Sequence, residues 1–189
     1  MKQLLFFILT LTVLSSCHFI TGSGNIISET RAIGNFNGIS AAGGFNVEVK
    51  IGPVSEVIVE ADDNVMKYIE TTVSGNTLKI RLGDHINISN AHMKVYVTAP
   101  GINSIKASSG SDVVVKDLLK SDHKLNFTAS SAGTIITEID APEVEAGTSS
   151  GATVLNDVLP FRIISKKNFL QSFAVTVYPL TFALQIKKR

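Results

Sequence analysis

The chain has 189 residues, which suits one domain, and only 17% of them are charged. Its formal net charge is +1, but six of the 17 basic residues follow Asp157, so the preceding part carries 11 basic against 16 acidic residues, a net charge of −5. An acidic body argues against nucleic acid as a partner, because binding to phosphates needs a basic face.

The first seventeen residues have the pattern of a lipoprotein signal. Lys2 precedes an apolar stretch over residues 4–14, which is too short to cross a bilayer as a helix but suits the core of a signal peptide. The following Ser15-Ser16-Cys17 completes a segment that resembles a lipobox, in which the processed cysteine carries acyl chains. We predict a signal peptide over residues 1–16 and lipidation at Cys17. An ordinary secretory signal with a stray cysteine is the alternative.

Cys17 is the single cysteine of the sequence, so it has no partner for an internal disulfide, and lipidation gives it a use. Several acyl chains on one residue would anchor the protein stably to a membrane. Residues 17–28 are then the lipidated cysteine and a tether. The residues that follow Cys17 lack the acidic cluster of a Bacteroidetes-type surface-export signal. We therefore expect an outer-membrane lipoprotein on the periplasmic face rather than the cell surface.

Alternating apolar and polar residues then predict half-buried strands. The apolar members of three such runs are Phe45, Val47, Val49 and Ile51; Leu78, Ile80 and Leu82; and Met93, Val95 and Val97. Turn-forming residues separate the runs, as at Gly52-Pro53 and Ser74-Gly75-Asn76. One short helix is predicted over residues 64–69 with Asp62 or Asp63 as its cap, and a loop is the alternative.

A repeat dominates the second half of the chain. Ser-Ser corners at Ser108-Ser109, Ser130-Ser131 and Ser149-Ser150 each precede a short β-branched run. Ile105, Phe127 and Ala146 precede the corners at matching positions. Stacked coils of roughly 20 residues place like residues above like residues, and small residues permit the sharp bend at each corner.

The segment from Ser40 to Gly44 resembles the same corner earlier in the chain. The separation of Ala42 from Ser108 is three times that of Ser108 from Ser130, which predicts three intervening coils unless the match is coincidental. We predict an all-β fold over residues 29–154. It is a right-handed parallel β-helix or β-solenoid with coils of about 20 residues.

The tail, residues 155–189, breaks the pattern. It has no glycine and gains four phenylalanines, and a long uncharged segment separates Lys167 from Lys187. Three interpretations remain open: a cap on the end of the solenoid, a weak transmembrane or interfacial segment, or a shifted reading frame, which the abrupt change of composition favours.

Several segments together resemble the GIN-domain family, the head domains of auto-transporter adhesins that are common in Bacteroidetes lipoproteins. They are residues 22–25, 36–39, 45–49, 57–62 and 78–80, with the Ser-Ser corners as the second half. The resemblance covers residues 22–154. It implies a β-helix or β-solenoid fold, export, and an adhesin-like role in the envelope. The family supplies no agreed catalytic residues, and the sequence departs from it after Val154.

Metal sites have weak support in the sequence. The four histidines, His18, His85, His92 and His123, lack the i, i+4 spacing of a helical site. Asp62-Asp63-Asn64 with Glu60 offers oxygen ligands for calcium, but a helix cap or polar turn explains these residues better. We therefore expect no metal and no cofactor.

Catalytic arrangements are equally weak. The corner serines lack a Gly-x-Ser-x-Gly elbow, and their repetition favours corners over nucleophiles. Asp112, Asp140, Glu143 and Glu145 could supply a carboxylate pair for glycoside cleavage, but a solvated face is the simpler interpretation. We predict a non-enzymatic envelope lipoprotein that binds a glycan or protein through a solenoid flank, its ligand-binding residues unknown. A β-helix enzyme acting on polysaccharide and a structural or assembly role are the alternatives.

Overall fold

The computed structural model describes residues 18–158 and 174–177. These residues are mostly β-structure, as predicted, with one short helix among them. The predicted signal peptide and Cys17 lie outside the described residues. Within those residues, no helix has the length and hydrophobicity needed to span a bilayer.

The strands, in chain order, are β1 His18–Thr21, β2 Ile26–Arg31, β3 Gly38–Ala42, β4 Asn46–Ile51, β5 Glu56–Asp62, β6 Ile69–Ser74, β7 Thr77–Leu82, β8 Ile86–Ser89, β9 Met93–Ala99, β10 Ser104–Ser108, β11 Asp112–Lys120, β12 Leu125–Ala129, β13 Thr134–Asp140, β14 Val144–Thr148, β15 Thr153–Val158 and β16 Ala174–Val177. The helix α1, Asp63–Met66, follows β5.

Two large sheets form the body. The six-stranded sheet has the order β14-β12-β10-β3-β7-β6, and the eight-stranded sheet has the order β16-β15-β13-β11-β4-β9-β5-β2. A separate parallel pair joins β1 to β8. From β10 to β15 the chain alternates between the two large sheets, and each new strand from β12 onward lies parallel to its predecessor in the same sheet.

The predicted column of Ser-Ser corners is confirmed. Gly110 N–H donates to the Ser131 carbonyl at 3.0 Å, and Ala132 N–H donates to the Ser150 carbonyl at 3.1 Å. Ser109, Ser131 and Ser150 all have left-handed backbones, with φ of 50°, 47° and 53°. The matching positions are confirmed as well, because Ile105 pairs with Phe127 and Phe127 pairs with Ala146 in the parallel ladder.

The earlier corner lies in the same column, but the three coils predicted between Ala42 and Ser108 are wrong. Ala42 pairs directly with Ser108, and β3 lies between β7 and β10. In the other sheet β4 lies between β9 and β11, parallel to both. The unit β3–β4 is thus inserted between β7–β9 and β10–β11, and the threefold spacing is a coincidence.

Residues 26–99 also depart from the uniformly parallel repeat of the prediction. Strand β5 is antiparallel to both β2 and β9, and β6 is antiparallel to β7. The cause is local in the second case, since Gly75 at φ 53° and Asn76 close a tight hairpin between β6 and β7. The described fold is therefore a mixed, mostly parallel pair of sheets.

The core lies between the two sheets. Alternate residues point inward in most of the strands that face it, as in β4, β7, β9, β12 and β13, and the largest fully buried side chains include Phe45, Phe127, Ile39 and Leu78. This arrangement confirms the period-two patterns of β4, β7 and β9. Strand β15 continues to Val158, beyond the predicted end of the repeat, and β16 pairs with it in parallel. Most of the predicted tail lies outside the described residues.

The helix is shorter than predicted, and Asp62, one of its two predicted caps, precedes it. It covers Asp63–Met66, and the chain is already extended from Ile69 in β6. Asp62 occupies the N-cap position without a side-chain cap bond. Its carboxylate instead accepts hydrogen bonds from Gly24 N–H at 2.5 Å and His92 N–H at 2.7 Å, which hold the N-terminal segment against the body.

Ser111 joins two neighbouring corners of the column. Its side chain is fully buried, and its hydroxyl oxygen lies 3.2 Å from the backbone N–H groups of both Gly44 and Phe45. These two amides lie between β3 and β4, outside both strands. The hydroxyl therefore satisfies donors that burial would otherwise leave unpaired.

We predict that Gly133→Ala destabilises the fold by about 3 kcal/mol. A Cβ at Gly133 would lie 2.6 Å from the carbonyl carbon of Ala107 and 2.9 Å from Ser108 N, which are backbone atoms of the adjacent corner. Gly147→Ala is the matched control, because no atom lies within 4 Å of its added Cβ. Urea unfolding should separate the two variants, and equal midpoints would contradict close stacking of the corners.

We predict that Ser111→Ala lowers the free energy of unfolding by about 1–3 kcal/mol, because the Gly44 and Phe45 amides lose their acceptor. Ser74→Ala, at an exposed strand end, should change it by less than about 0.5 kcal/mol. Both are measured by urea unfolding followed by circular dichroism. A Ser111→Ala variant as stable as the wild type would show that the two amides do not depend on this hydroxyl.

Candidate binding surface

The outer face of the eight-stranded sheet carries the richest set of exposed functional groups. The register places Glu48 of β4 beside Tyr96 of β9 and Val114 of β11, with Ile58 of β5 on the far side of Tyr96. These residues alternate with the buried valines, so the core-facing pattern fixes their outward direction. Two positions along the strands, the next outward row is Glu60, Lys94, Asn46, Asp112 and Thr134.

Glu48 is the centre of this surface, and its side chain is 21% exposed. Three lysines surround its carboxylate: Lys94 at 3.4 Å, Lys50 at 3.9 Å and Lys116 at 4.0 Å. We call Glu48, Lys50, Lys94, Lys116 and Tyr96 the Glu48 cluster. The Glu48 carboxylate is thus shared by three ammonium groups, each of which keeps further N–H donors for an approaching acceptor.

Lys94 is held between the carboxylate and the aromatic ring. Its Nζ lies 4.5 Å from the centroid of Tyr96, within the range of a cation–π contact. The interaction with the Tyr96 side chain, and then the charge and hydrogen bond of Glu48, raise the pKa of Lys94 above its usual value. Lys94 is therefore a permanent cation and hydrogen-bond donor on this face.

Two depressions adjoin the Glu48 cluster. The larger, of about 500 Å³, is lined by Ser28, Glu48, Lys50, Ile58, Glu60, Tyr96, Val97 and Thr98. The smaller, of about 80 Å³, lies on the other side of Glu48 and includes Asn46 and Asp112. Together they form a shallow surface on which an aromatic ring, an aliphatic side chain, carboxylates and ammonium groups are all accessible.

The acidic residues considered for calcium hold the N-terminal segment instead. The Asp63 carboxylate accepts hydrogen bonds from Ser23 Oγ at 2.5 Å and Asn25 Nδ2 at 2.9 Å, and these bonds lower the pKa of Asp63. Glu60 Oε1 lies 2.7 Å from His92 Nε2. Within residues 18–158 and 174–177 no three His, Cys, Asp or Glu side chains are grouped to hold a metal ion.

The four carboxylates considered for glycoside cleavage do not converge. Asp112 begins β11 and pairs with Thr134, whereas Asp140 pairs with Lys120 at the other end of the same two strands. Glu143 and Glu145 lie at the edge of the six-stranded sheet and share Lys124, at 3.0 Å and 2.7 Å. Hydrogen bonds to Glu145 and then Glu143 raise the pKa of Lys124. The corner serines lie at or beside the stacked turns, where backbone hydrogen bonds join one corner to the next.

Sequence analysis did not single out the Glu48 cluster or Ser111. The alternating pattern did put Glu48, Lys94 and Tyr96 on the exposed sides of their strands. The missing information was the parallel pairing of β4 with β9, which joins segments that are distant in the sequence. Ser111 could have been found from its place in the repeat, because Gly133 and Ala152 occupy the equivalent positions and are also small.

The family comparison now adds an independent observation. Residues 35–156 match the family model described as "Putative auto-transporter adhesin, head GIN domain". The chain belongs to this family. The resemblance inferred from the short motifs is therefore confirmed over most of its predicted extent, and the family is named for adhesion rather than for an enzymatic activity. No curated protein matches the sequence.

Solved structures show the same fold at low sequence identity. A "putative adhesin" from Parabacteroides distasonis is 17% identical with a TM-score of 0.67, and the match covers 74% of this chain and 60% of that one. A "putative lipid binding protein" from the same species is 16% identical with a TM-score of 0.68, covering 78% and 63%. A "putative adhesin" from Bacteroides fragilis is 18% identical with a TM-score of 0.55, covering 77% and 94%. The match therefore spans about three fifths of the first two structures.

Proposed function

We propose that this GIN-domain protein is a non-enzymatic lipoprotein of the cell envelope that binds a glycan through the outer face of its eight-stranded sheet. The observation that carries the proposal is the Glu48 cluster, in which Tyr96, Lys94 and Glu48 are held beside an open depression of about 500 Å³. A protein ligand on the same face is the second form of this proposal.

The chemistry of the face suits a sugar. A glycan presents hydroxyl groups that donate and accept hydrogen bonds, and it also presents apolar C–H patches. Carboxylates at Glu48 and Asp112 supply acceptors, and the ammonium groups of Lys94 and Lys50 supply donors. The Tyr96 ring supplies an apolar surface. Because all of them project from paired strands, the backbone beneath the site loses little conformational entropy on binding.

We further propose that residues 104–158 are successive coils of a β-solenoid, as the periodicity predicts. Support comes from the in-register parallel ladders β10-β12-β14 and β11-β13-β15 and from the stacked corners between them. A solenoid presents equivalent side chains in straight rows, and a rod-like polysaccharide fits such rows well.

The proposed anchor is Cys17, which immediately precedes β1. An acyl group at this position would hold the folded body within a few residues of the membrane, since β1 is already paired with β8. The adhesin-like family supports an envelope location, and the lack of an acidic export signal after Cys17 supports the periplasmic face of the outer membrane.

We predict that Cys17→Ser abolishes incorporation of a radiolabelled or alkynyl fatty acid and moves the protein from the membrane to the soluble periplasmic fraction. Ser16→Ala, beside the cysteine and compatible with the small-residue pattern, is the control and should leave labelling intact. Fractionation and labelling are both measured in a bacterial host. Labelling of the Cys17→Ser variant would contradict anchoring at this residue.

We predict that Tyr96→Ala and Glu48→Gln each weaken glycan binding at least tenfold, corresponding to about 1.4 kcal/mol. The probe is an immobilised panel of bacterial envelope polysaccharides, with affinities measured by biolayer interferometry. Lys79→Ala, on the outer face of the other sheet, is the matched control and should bind like the wild type. Absence of binding to the whole panel, or equal loss in all three variants, would refute this site.

A further inference from the structure

We propose that β2 pairs antiparallel with β2 of a second copy of this chain, joining two eight-stranded sheets into one. The inference is independent of the glycan site, because β2 lies at the end of the sheet and contributes only Ser28 to the depression beside Glu48. It rests on three properties of β2: an open edge, the direction of its free backbone groups and its pattern of charge.

Among the described residues, no strand pairs with the outer edge of β2. Strand β2 pairs with β5 on one side and ends the eight-stranded sheet on the other. Residues 26–30 are all exposed, and they include two isoleucines, Ile26 at 50% and Ile27 at 37%. An exposed edge strand with apolar side chains is a template for pairing with another chain.

The ladder to β5 determines which backbone groups are free. Asp63 N–H donates to the Asn25 carbonyl at 2.9 Å, in the same register that pairs Ile26 with Asp62. Hydrogen-bonded pairs alternate along antiparallel strands, so residues 27, 29 and 31 bond to β5. Ile26, Ser28 and Thr30 therefore direct their N–H and C=O groups outward, toward the position of another strand.

The charges on β2 favour pairing with β2 of a second copy, and they favour one register of that pairing. Natural edge strands often avoid self-pairing by carrying a charge that repels its own copy. Here Glu29 and Arg31 lie on one side of β2 and form an ion pair at 3.2 Å, so the strand carries both signs. The register that sets Thr30 opposite Thr30 uses the outward groups of Thr30 and places each Glu29 opposite the Arg31 of the other copy. The two β2 strands then overlap over residues 29–31, and Ser28 and Ile26 face residues 32 and 34, which follow β2 in the other copy. Opposite charges on facing residues stabilise antiparallel pairs.

This arrangement has a consequence for adhesion. A two-fold axis at Thr30 would extend one continuous sheet across both copies and place the two Glu48 clusters on it. Two sites on one rigid body convert the second binding event into an intramolecular one and raise avidity for a repetitive ligand.

The test is Thr30→Cys in the full chain, expressed in a bacterial envelope and examined on a non-reducing gel. The facing Cα atoms of a hydrogen-bonded antiparallel pair lie about 5.5 Å apart, within the range of a disulfide. We expect at least tenfold more disulfide-linked dimer from Thr30→Cys than from Thr128→Cys, at an exposed position of β12 in the other sheet.

The second part of the test changes the charges of β2. In the Thr30→Cys background, Glu29→Arg should reduce the crosslinked dimer at least fivefold, because residues 29 and 31 of both copies are then cations with no carboxylate between them. The double change Glu29→Arg with Arg31→Glu should restore it. Crosslinking of Thr30→Cys no greater than that of Thr128→Cys, an adduct with a different protein, or no rescue by the double change would each overturn the proposal.

Discussion

The close stacking of small-residue corners is the constraint on which the described structure depends. Strands in a sheet lie about 4.8 Å apart, so consecutive corners must approach to the same distance. Gly133 lies directly against the Ala107–Ser108 backbone, and Ser111 fills the equivalent position one layer away while its hydroxyl satisfies two amides. A larger side chain at either place would separate the layers and break the ladders on both sides of the corner.

The same register builds the binding surface. Because the corners hold β3–β4 in place between β7–β9 and β10–β11, Glu48 comes to lie between Tyr96 and Val114. Lys94 and Lys116 reach Glu48 from strands on either side. A slip of one residue in any of these strands would turn the cluster toward the core, so that a surface property depends directly on packing at the corners.

The periodic patterns of the sequence correctly predicted the features that depend on residues close together in the chain. The exposed and buried sides of β4, β7 and β9, the corner column and the matched positions Ile105 and Phe127 all follow from periodicity. The insertion of β3–β4 between later strands could not be predicted. The spacing from Ala42 to Ser108 is a multiple of the repeat length, and such a spacing is compatible with coils that are adjacent and with coils that are far apart. The N-cap position of Asp62 could be predicted, but the partners of its carboxylate could not, since Gly24 and His92 are distant from it in the sequence. The candidate site required the pairing of β4 with β9, which no single segment encodes.

The most direct test of corner stacking is amide hydrogen exchange at Gly110 and Ala132, resolved by NMR. Each lies in a corner turn, yet each donates to the carbonyl of the next corner, Ser131 or Ser150. The account predicts that both amides exchange at least ~100-fold more slowly than in an unstructured peptide, like those of core strands. Exchange at the unprotected rate in both, while the neighbouring strand amide of Val113 stays protected, would contradict it.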